Sequence, residues 1–305
     1  MKLIKPSFEI IKPTGYTIDD IYKSIELAGK VCHKSENTII EDSAKKFVDR
    51  MIKLGHGATL EFGTVYLKVP KYKIYRDGAF QFNEPTYYTR NLYYKTYCNN
   101  DYLYITTNYR YIIENKLEHW LQFLCEPTEY HEKRICVKFI CDRGILAEFT
   151  RHRKFSFMAE STRYCNYSKG KFNNEITYIC PYWLDYNKVQ EFTEIANKDN
   201  KEIYRMGHDE SLSMKERGLC SFVYDMSNHE HGYLFQISAG WKPEQARAVL
   251  PNALKTELYM CGYVSDWEHF FELRDDKQHA HPQAYELAHP LHEEFIKRKY
   301  INETD

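Results

Sequence analysis

Arg151-His152-Arg153 is followed, after seven residues, by Ser161, and the run from 151 to 168 reads RHRKFSFMAESTRYCNYS. Taken alone, three basic residues at a helix end serve equally well as a solvated cap on the negative end of the helix dipole. The residues downstream tip the balance. Ser156, Ser161, Thr162 and Arg163 put hydroxyls and a forked guanidinium into one short segment, the donor types that grip phosphate oxygens. A helix C-terminus repels anions, so a phosphate beside it must be held by fixed cationic forks, for which arginine suits better than lysine.

Other candidate groups carry less. His229-Glu230-His231 and His279-Ala280-His281 contain metal-ligand residue types, but residues two apart share a face only on a strand, and no His-Glu-x-x-His pattern is present. No metal site is expected. The nine cysteines, at 32, 98, 125, 136, 141, 165, 180, 220 and 261, are odd in number and contain no Cys-x-x-Cys pair. They read as free thiols, neither a disulfide framework nor a zinc ribbon. His56, between Gly55 and Gly57, is as often a turn residue as a site residue.

These groups need elements to position them. Thr17 ahead of Asp19 and Asp20 marks a capped start, and Ile21, Ile25 and Ala28, then Phe47, Met51 and Ile52, recur at helical intervals, predicting two amphipathic helices within 17–53. Thr64 to Val69 has strand composition ended by Pro70. Up to Lys133, strand-like aromatic pieces alternate with turns such as Asn83-Glu84-Pro85 and Asn99-Asn100-Asp101, with an apolar helix near 114–125. Arg134 to Cys141 alternates like a strand, and Asp142 is placed to cap a helix running to Arg151. Beyond it the pattern predicts a short strand at 175–181, a helix at 188–205, a helix opened by Pro243, and helical stretches at 267–273 and 284–299. Helices dominate the C-terminal third in this reading.

The 305 residues are 43% hydrophobic and 28% charged, ordinary values for a folded chain with a packed core. Basic and acidic residues number 42 and 43, so no global field draws the molecule to DNA or an anionic membrane. No apolar run approaches the roughly 20 residues of a bilayer span, and the first residues lack a signal-peptide pattern, so a cytoplasmic protein is expected.

The segment 151–163 resembles the flavin-dependent thymidylate synthases, whose signature is Arg-His-Arg, seven residues, then Ser, with a further Arg two positions on, here Arg163. His56 with Glu61, Arg247 in EQARAVLP and Arg274 in FFELRDDKQHAHPQ fall in the same family's order. The resemblance covers roughly 1–69 and 133–299 and leaves a tyrosine-rich insertion at about 70–133. It implies a single α/β (α+β) domain over 1–305, with a mixed sheet flanked by helices, assembled as a homotetramer with active sites between subunits. The implied reaction converts dUMP to dTMP, with methylenetetrahydrofolate as one-carbon donor and NADPH-reduced FAD as hydride carrier.

Carried over residue by residue, the resemblance assigns dUMP to Glu148, Arg151, Ala159, Glu160, Ser161, Thr162, Arg163, Arg247 and Arg274. It assigns FAD to His56, Arg151, His152, Arg153, Ala159, Tyr263, Ser265 and His269, with Arg274 as the catalytic residue stabilising negative charge across the uracil ring. Ala159 stands where many relatives have Glu or Gln, Glu148 where Gln is common, and His269 where Asn is frequent; the counterparts of Gln278 and His279 depend on a one-residue gap. The Pro-Cys-His context of the unrelated, cysteine-dependent synthases is absent, so no cysteine is assigned to attack on uracil. The competing reading takes the tyrosines of the insertion, with Arg76, Arg90, Lys95 and Arg110 among them, as a stacking surface for single-stranded nucleic acid. Against it, tyrosine suits half-buried strands and oligomer interfaces, and Asp77, Glu84 and Asp101 interrupt the basic run.

Overall fold

The computed structural model describes residues 1–76 and 93–302. Two short strands, β1 (Lys2–Ile4) and β2 (Ser7–Ile11), open the chain. Helix α1 (Ile18–Lys30) starts where Thr17 and Asp20 cap each other reciprocally, and it buries Ile21, Ile25 and Ala28 on one stripe. Helix α2 (Ser43–Lys53) and strand β3 (Thr64–Pro70) fall where the spacing predicts, with a short helix α3 (Gly57–Leu60) between them that it does not predict.

Next come α4 (Lys71–Arg76), β4 (Tyr94–Cys98), β5 (Tyr102–Asn108) and α5 (Tyr109–Glu114). The helix expected near 114–125 therefore begins earlier and stops sooner. Asn108 caps its start at 109, Lys116 turns left-handed at φ 57°, and Glu118–Phe123 continues only as a 3-10 turn. The turn expected at Asn83-Glu84-Pro85 lies outside the described residues.

Strand β6 (Arg134–Asp142) passes directly into α6 (Arg143–Phe149), because the Asp142 carboxylate accepts the Ile145 amide at 2.7 Å. Then follow β7 (Ser156–Ala159), β8 (Thr177–Ile179), α7 (Tyr186–Lys198), α8 (Asn200–Gly207) and α9 (Met214–Ser238). The single helix expected at 188–205 is two, split at Asp199, whose extended backbone lets its carboxylate cap α8 through the Lys201 amide. Pro243 opens α10 (Pro243–Ala246), and β9 (Lys255–Tyr263), α11 (Val264–Arg274) and α12 (Pro282–Lys297) close the fold.

Strand β9 lies in the C-terminal third, where helices are expected to dominate and the pattern marks no strand. It is buried almost throughout, so its continuous apolar stretch has no strand-like alternation to read. It is also central, in an antiparallel sheet ordered β2-β6-β9-β7. A second antiparallel sheet is ordered β3-β5-β4, and the one parallel pairing among the described strands is β1 with β8. The α/β architecture of sheets flanked by helices stands as expected.

Side chains alternate across β6 and β9. One face presents Ile135, Val137, Phe139, Leu258 and Met260 to Phe149 of α6, Trp267 and Phe270 of α11, and Leu287, Leu291 and Phe295 of α12. The other face presents Arg134, Cys136 and Lys138 with Glu257, Tyr259, Cys261 and Tyr263. Helices α7, α8 and α9 pack a separate core with β1 and β8.

Candidate active site

Helix α6 sets the geometry. Seven residues at 1.5 Å rise span about 10 Å, and a different cluster of candidate residues sits at each end. At its C-terminal end, Arg151, His152, Arg153, Lys154 and Phe155 face Asp266, His269, Leu273 and Arg274 of α11 across a cleft of about 300 Å³. Arg151, Arg153 and Lys154 are exposed.

Arg274 is the fixed point of this cleft. It donates Nε–H to His152 Nε2 at 3.0 Å, one terminal nitrogen to the Glu148 carboxylate at 2.7 Å and the other to the Glu148 carbonyl at 3.3 Å. His152 therefore accepts through Nε2 and carries its proton on Nδ1. Burial, then the charge of Arg274 and His269, pushes the His152 imidazole down to about 4, so it is neutral at pH 7. Glu148, a departure from the family pattern, has its compensating cation in Arg274. The arginine's own anchor is the next residue: Asp275 accepts from His289 Nδ1 at 2.8 Å and His292 Nδ1 at 2.6 Å, tying α11 to α12.

The second cluster lies at the N-terminal end of α6. Arg143 reaches the Glu160 carbonyl at 3.4 Å, where β7 has ended and the loop 160–165 begins. Arg247 donates to Thr162 Oγ1 at 3.2 Å, the Arg163 amide donates to Ser161 Oγ at 3.3 Å, and the Arg163 guanidinium lies over the Tyr164 ring while remaining exposed. Ala159 ends β7, paired with Leu258 of β9. Glu160 is buried, with its carboxylate on Lys255 Nζ at 2.8 Å and on the Tyr167 hydroxyl at 3.3 Å. Its side chain is thus committed inward.

The sequence reading missed the lysines behind this loop. Lys34, Lys138 and Lys255 all pair with the buried Glu257 carboxylate, which they hold down at about 2 against the opposing effect of burial. Alternate placement of Lys255 and Glu257 on β9 was the available signal, legible only once β9 is known to be a strand.

Three candidates stand apart from both clusters. Tyr263 is 3% exposed and turns to the opposite sheet face, donating its hydroxyl to the Thr106 carbonyl at 3.0 Å, so its side chain does not enter the cleft. Ser265, at the start of α11, donates its amide and hydroxyl to the Glu132 carboxylate. His56 is exposed at the start of α3, outside the cleft lining. Gln278 and His279 are exposed beyond α11, where their amides, and His279 Nδ1 as well, bond Asp276.

His229, Glu230 and His231 lie on helix α9, where residues two apart diverge, and among the described residues no group of three or more potential ligands converges on a metal. Of the cations proposed to interleave a nucleic-acid surface, Lys95 faces Glu132 at 3.6 Å and Arg110 pairs with Glu61 and Glu114 at 2.7 Å each. Arg90 and the Arg76 side chain lie outside the described residues. Tyr94, Tyr104 and Tyr109 are buried in the β3-β5-β4 layer and its flanking helix.

A family model described as thymidylate synthase complementing protein matches residues 105–298. The chain belongs to that family. The match takes in both clusters and begins at β5, inside the segment read as an insertion. The probable flavin-dependent thymidylate synthase of Paramecium bursaria Chlorella virus 1 is 27% identical over 155 residues, covering 51% of this chain and 62% of that protein. The flavin-dependent thymidylate synthase of Synechocystis is 28% identical over the same shares, and that of Corynebacterium glutamicum 25% identical over 146 residues, 48% of this chain and 50% of that protein. The chain thus spans about half to six tenths of the length of the curated relatives it matches. A crystal structure of a UMP/dUMP methylase PolB from Streptomyces cacaoi bound with 5-Br dUMP covers 97% of this chain and 93% of its own at 12% identity, with a TM-score of 0.43. That likeness is too distant to carry a residue across. Among the described residues of this family member, no helix is long and apolar enough to cross a membrane.

Proposed function

We propose that this protein is a flavin-dependent thymidylate synthase that converts dUMP to dTMP, with methylenetetrahydrofolate as one-carbon donor and NADPH as reductant. One observation carries the reading: the residues the family pattern singles out fall at the two ends of α6, with Arg151, His152, Arg153 and Arg274 at one end and Ser161, Thr162, Arg163 and Arg247 at the other. Family membership and the names of the relatives support it.

The donor set fits FAD. Exposed Arg151, Arg153 and Lys154 around one cleft supply the positive charge that a dinucleotide's pyrophosphate requires. When bound, the flavin supplies hydride transfer, which no side chain can perform. His56, Ser265 and His269 are the further contacts we assign to it. The Tyr263 backbone, at the point where β9 becomes α11, is the part of that residue available to the cofactor.

Ligand pockets run from about 300 to 1,000 Å³, so a cleft of about 300 Å³ lies at the small end of that range for a site that must take a dinucleotide and a nucleotide. The separation of the two clusters by the length of α6 points the same way. We therefore read the functional unit as a homotetramer, with the loop 159–163 of one subunit completing the cleft of another. The site holds dUMP by its phosphate on Ser161, Arg163 and Arg247, with the backbone of Ala159 to Thr162 lining the approach. Glu148, kept close to Arg274, is placed for a ribose hydroxyl rather than the phosphate.

Arg274 acts on the base. A guanidinium has five N–H donors, and three are used on His152 and Glu148, which leaves two for the uracil edge. Held in a fixed orientation, these stabilise negative charge as it develops across the ring, without reorganisation during the reaction. Ring activation by a fixed cation replaces a cysteine nucleophile, and we assign none of the cysteines to attack. All nine are free, in keeping with a cytoplasmic setting. We place any segment added to the family's minimal pattern ahead of residue 105, where the family match begins.

The experiment is an anaerobic absorbance trace of the purified protein with added FAD, following bleaching by NADPH with and without dUMP. A rate that responds to dUMP, followed by dTMP formation once methylenetetrahydrofolate is added, is the expected result. A protein that binds no flavin would overturn the reading.

A further inference from the structure

Cys136 of β6 and Cys261 of β9 are register partners, so their side chains stand opposite each other on the sheet face turned away from the α6, α11 and α12 layer. Directly opposed antiparallel residues have Cβ atoms about 4.5–5.5 Å apart, and a disulfide needs about 3.5–4.5 Å, so only a small adjustment separates the pair from bonding. Both thiols line a cavity of about 320 Å³ between this face and α1, with Thr64, Tyr66 and Leu27 among its other walls. That volume admits molecules of a few heavy atoms to Cys261, which is only 1% exposed from outside.

A buried guanidinium lies beside the pair. Arg134 donates to the Glu61 carbonyl at 2.9 Å, Thr64 Oγ1 at 3.3 Å and Ser156 Oγ at 3.2 Å, which fixes its charge at this end of the cavity. The neighbouring Cys136 thiol, with help from the Arg134 charge and Thr64, holds the Cys261 thiol below its ordinary value, while Cys261 and burial push the Cys136 thiol up. One member is thus the nucleophile and the other a protonated thiol within reach of it. The thymidylate-forming chemistry uses neither.

We propose that Cys261 and Cys136 form a peroxide-reactive dithiol, in which a hydroperoxide small enough to enter the cavity is reduced and a cross-strand disulfide is formed. The Cys261 thiolate attacks one peroxide oxygen, the O–O bond breaks, and the departing oxygen leaves as hydroxide and takes up a proton to become water. Cys261 is then a sulfenic acid, oxidised by two electrons. The Cys136 sulfur attacks the Cys261 sulfur, expels hydroxide and gives up its own proton to it. For hydrogen peroxide the balance is two thiols and one peroxide in, one disulfide and two waters out. A thiol reductant reverses the change by exchange.

The test uses the full-length protein and hydrogen peroxide itself, added in stoichiometric amount and then quenched. The expected result is a mass loss of about 2 Da, a linked peptide pair joining Cys136 to Cys261, and full reversal by dithiothreitol. Cys136→Ser should stop at the sulfenic acid, which dimedone traps on Cys261, and Cys261→Ser should leave Cys136 a thiol. Oxidation of the half-exposed Cys32, Cys98 or Cys125 while both partners stay reduced would overturn the proposal, as would dimedone labelling of Cys136 in place of Cys261. If either serine variant fails to fold, the peptide map of the unsubstituted protein decides between these outcomes.

Discussion

Arg274, on the proposed reading, does its work with the two donors that His152 and Glu148 leave unused. Replacing it with alanine should lower dTMP formation by about 100-fold or more while FAD still binds, since removal of one preorganised charge-stabilising group typically costs that much. Near-normal turnover by Arg274→Ala would remove its assigned role. Arg163 is exposed and its guanidinium is stacked on Tyr164, so its deletion disturbs little else. Arg163→Ala should weaken dUMP binding by about 10- to 100-fold, the value of one charge-assisted contact, as measured by calorimetry. An unchanged dissociation constant would contradict the phosphate assignment. His152 gives a pH signature. Its folded value of about 4 lies below the ordinary value of about 6.5, so the folded state binds fewer protons in that interval. The stability it contributes is complete above about pH 6.5 and is lost as pH falls towards 4. His152→Gln keeps an acceptor for Arg274 but does not titrate, and its denaturation midpoint should fall less steeply across that window.

Asp142 shows how an element depends on one side chain. One carboxylate oxygen accepts the Ile145 amide at 2.7 Å and the other accepts Gln283 Nε2 at 2.6 Å, so a single residue starts α6 and joins it to α12. Asp142→Ala removes the cap and leaves a buried amide donor without its partner. The expected loss is about 2–3 kcal/mol by chemical denaturation. A loss below about 0.5 kcal/mol would show that α6, and with it the spacing of the two clusters, is held by its apolar face instead. That face, with Ile145, Leu146 and Phe149, is buried in the main core. The sequence marked this cap and the capped start of α1 because caps are local, written in residues two or three apart. It did not mark β9, whose neighbours β6 and β7 come from more than a hundred and about a hundred residues earlier.

The whole molecule follows from the two clusters being kept apart within one chain. If loop and cleft meet across subunits, light scattering should give four times the 36.6 kDa chain mass, and mixing two impaired variants, Arg163→Ala and Arg274→Ala, should restore part of the activity at low dUMP. A fully active monomer would show instead that the cleft closes on its own loop. Within one chain, Arg153 and Ser161 are eight positions apart, yet β7 lies between them and carries the chain from the cleft to the other end of α6.

The amino-acid sequence by itself determined the residue types of the site, the order of the signature segments, the paired helices within 17–53, and the strands at 64–69 and 134–141. All of these rest on spacings of a few residues or on side-chain chemistry alone. Only the tertiary structure decided that Glu148 pairs with Arg274, that Tyr263 turns away from the cleft, that three lysines gather on Glu257, and that Cys136 faces Cys261. Each of these joins residues far apart in the chain, and register between strands is set by burial and packing across the sheet, which no local pattern contains.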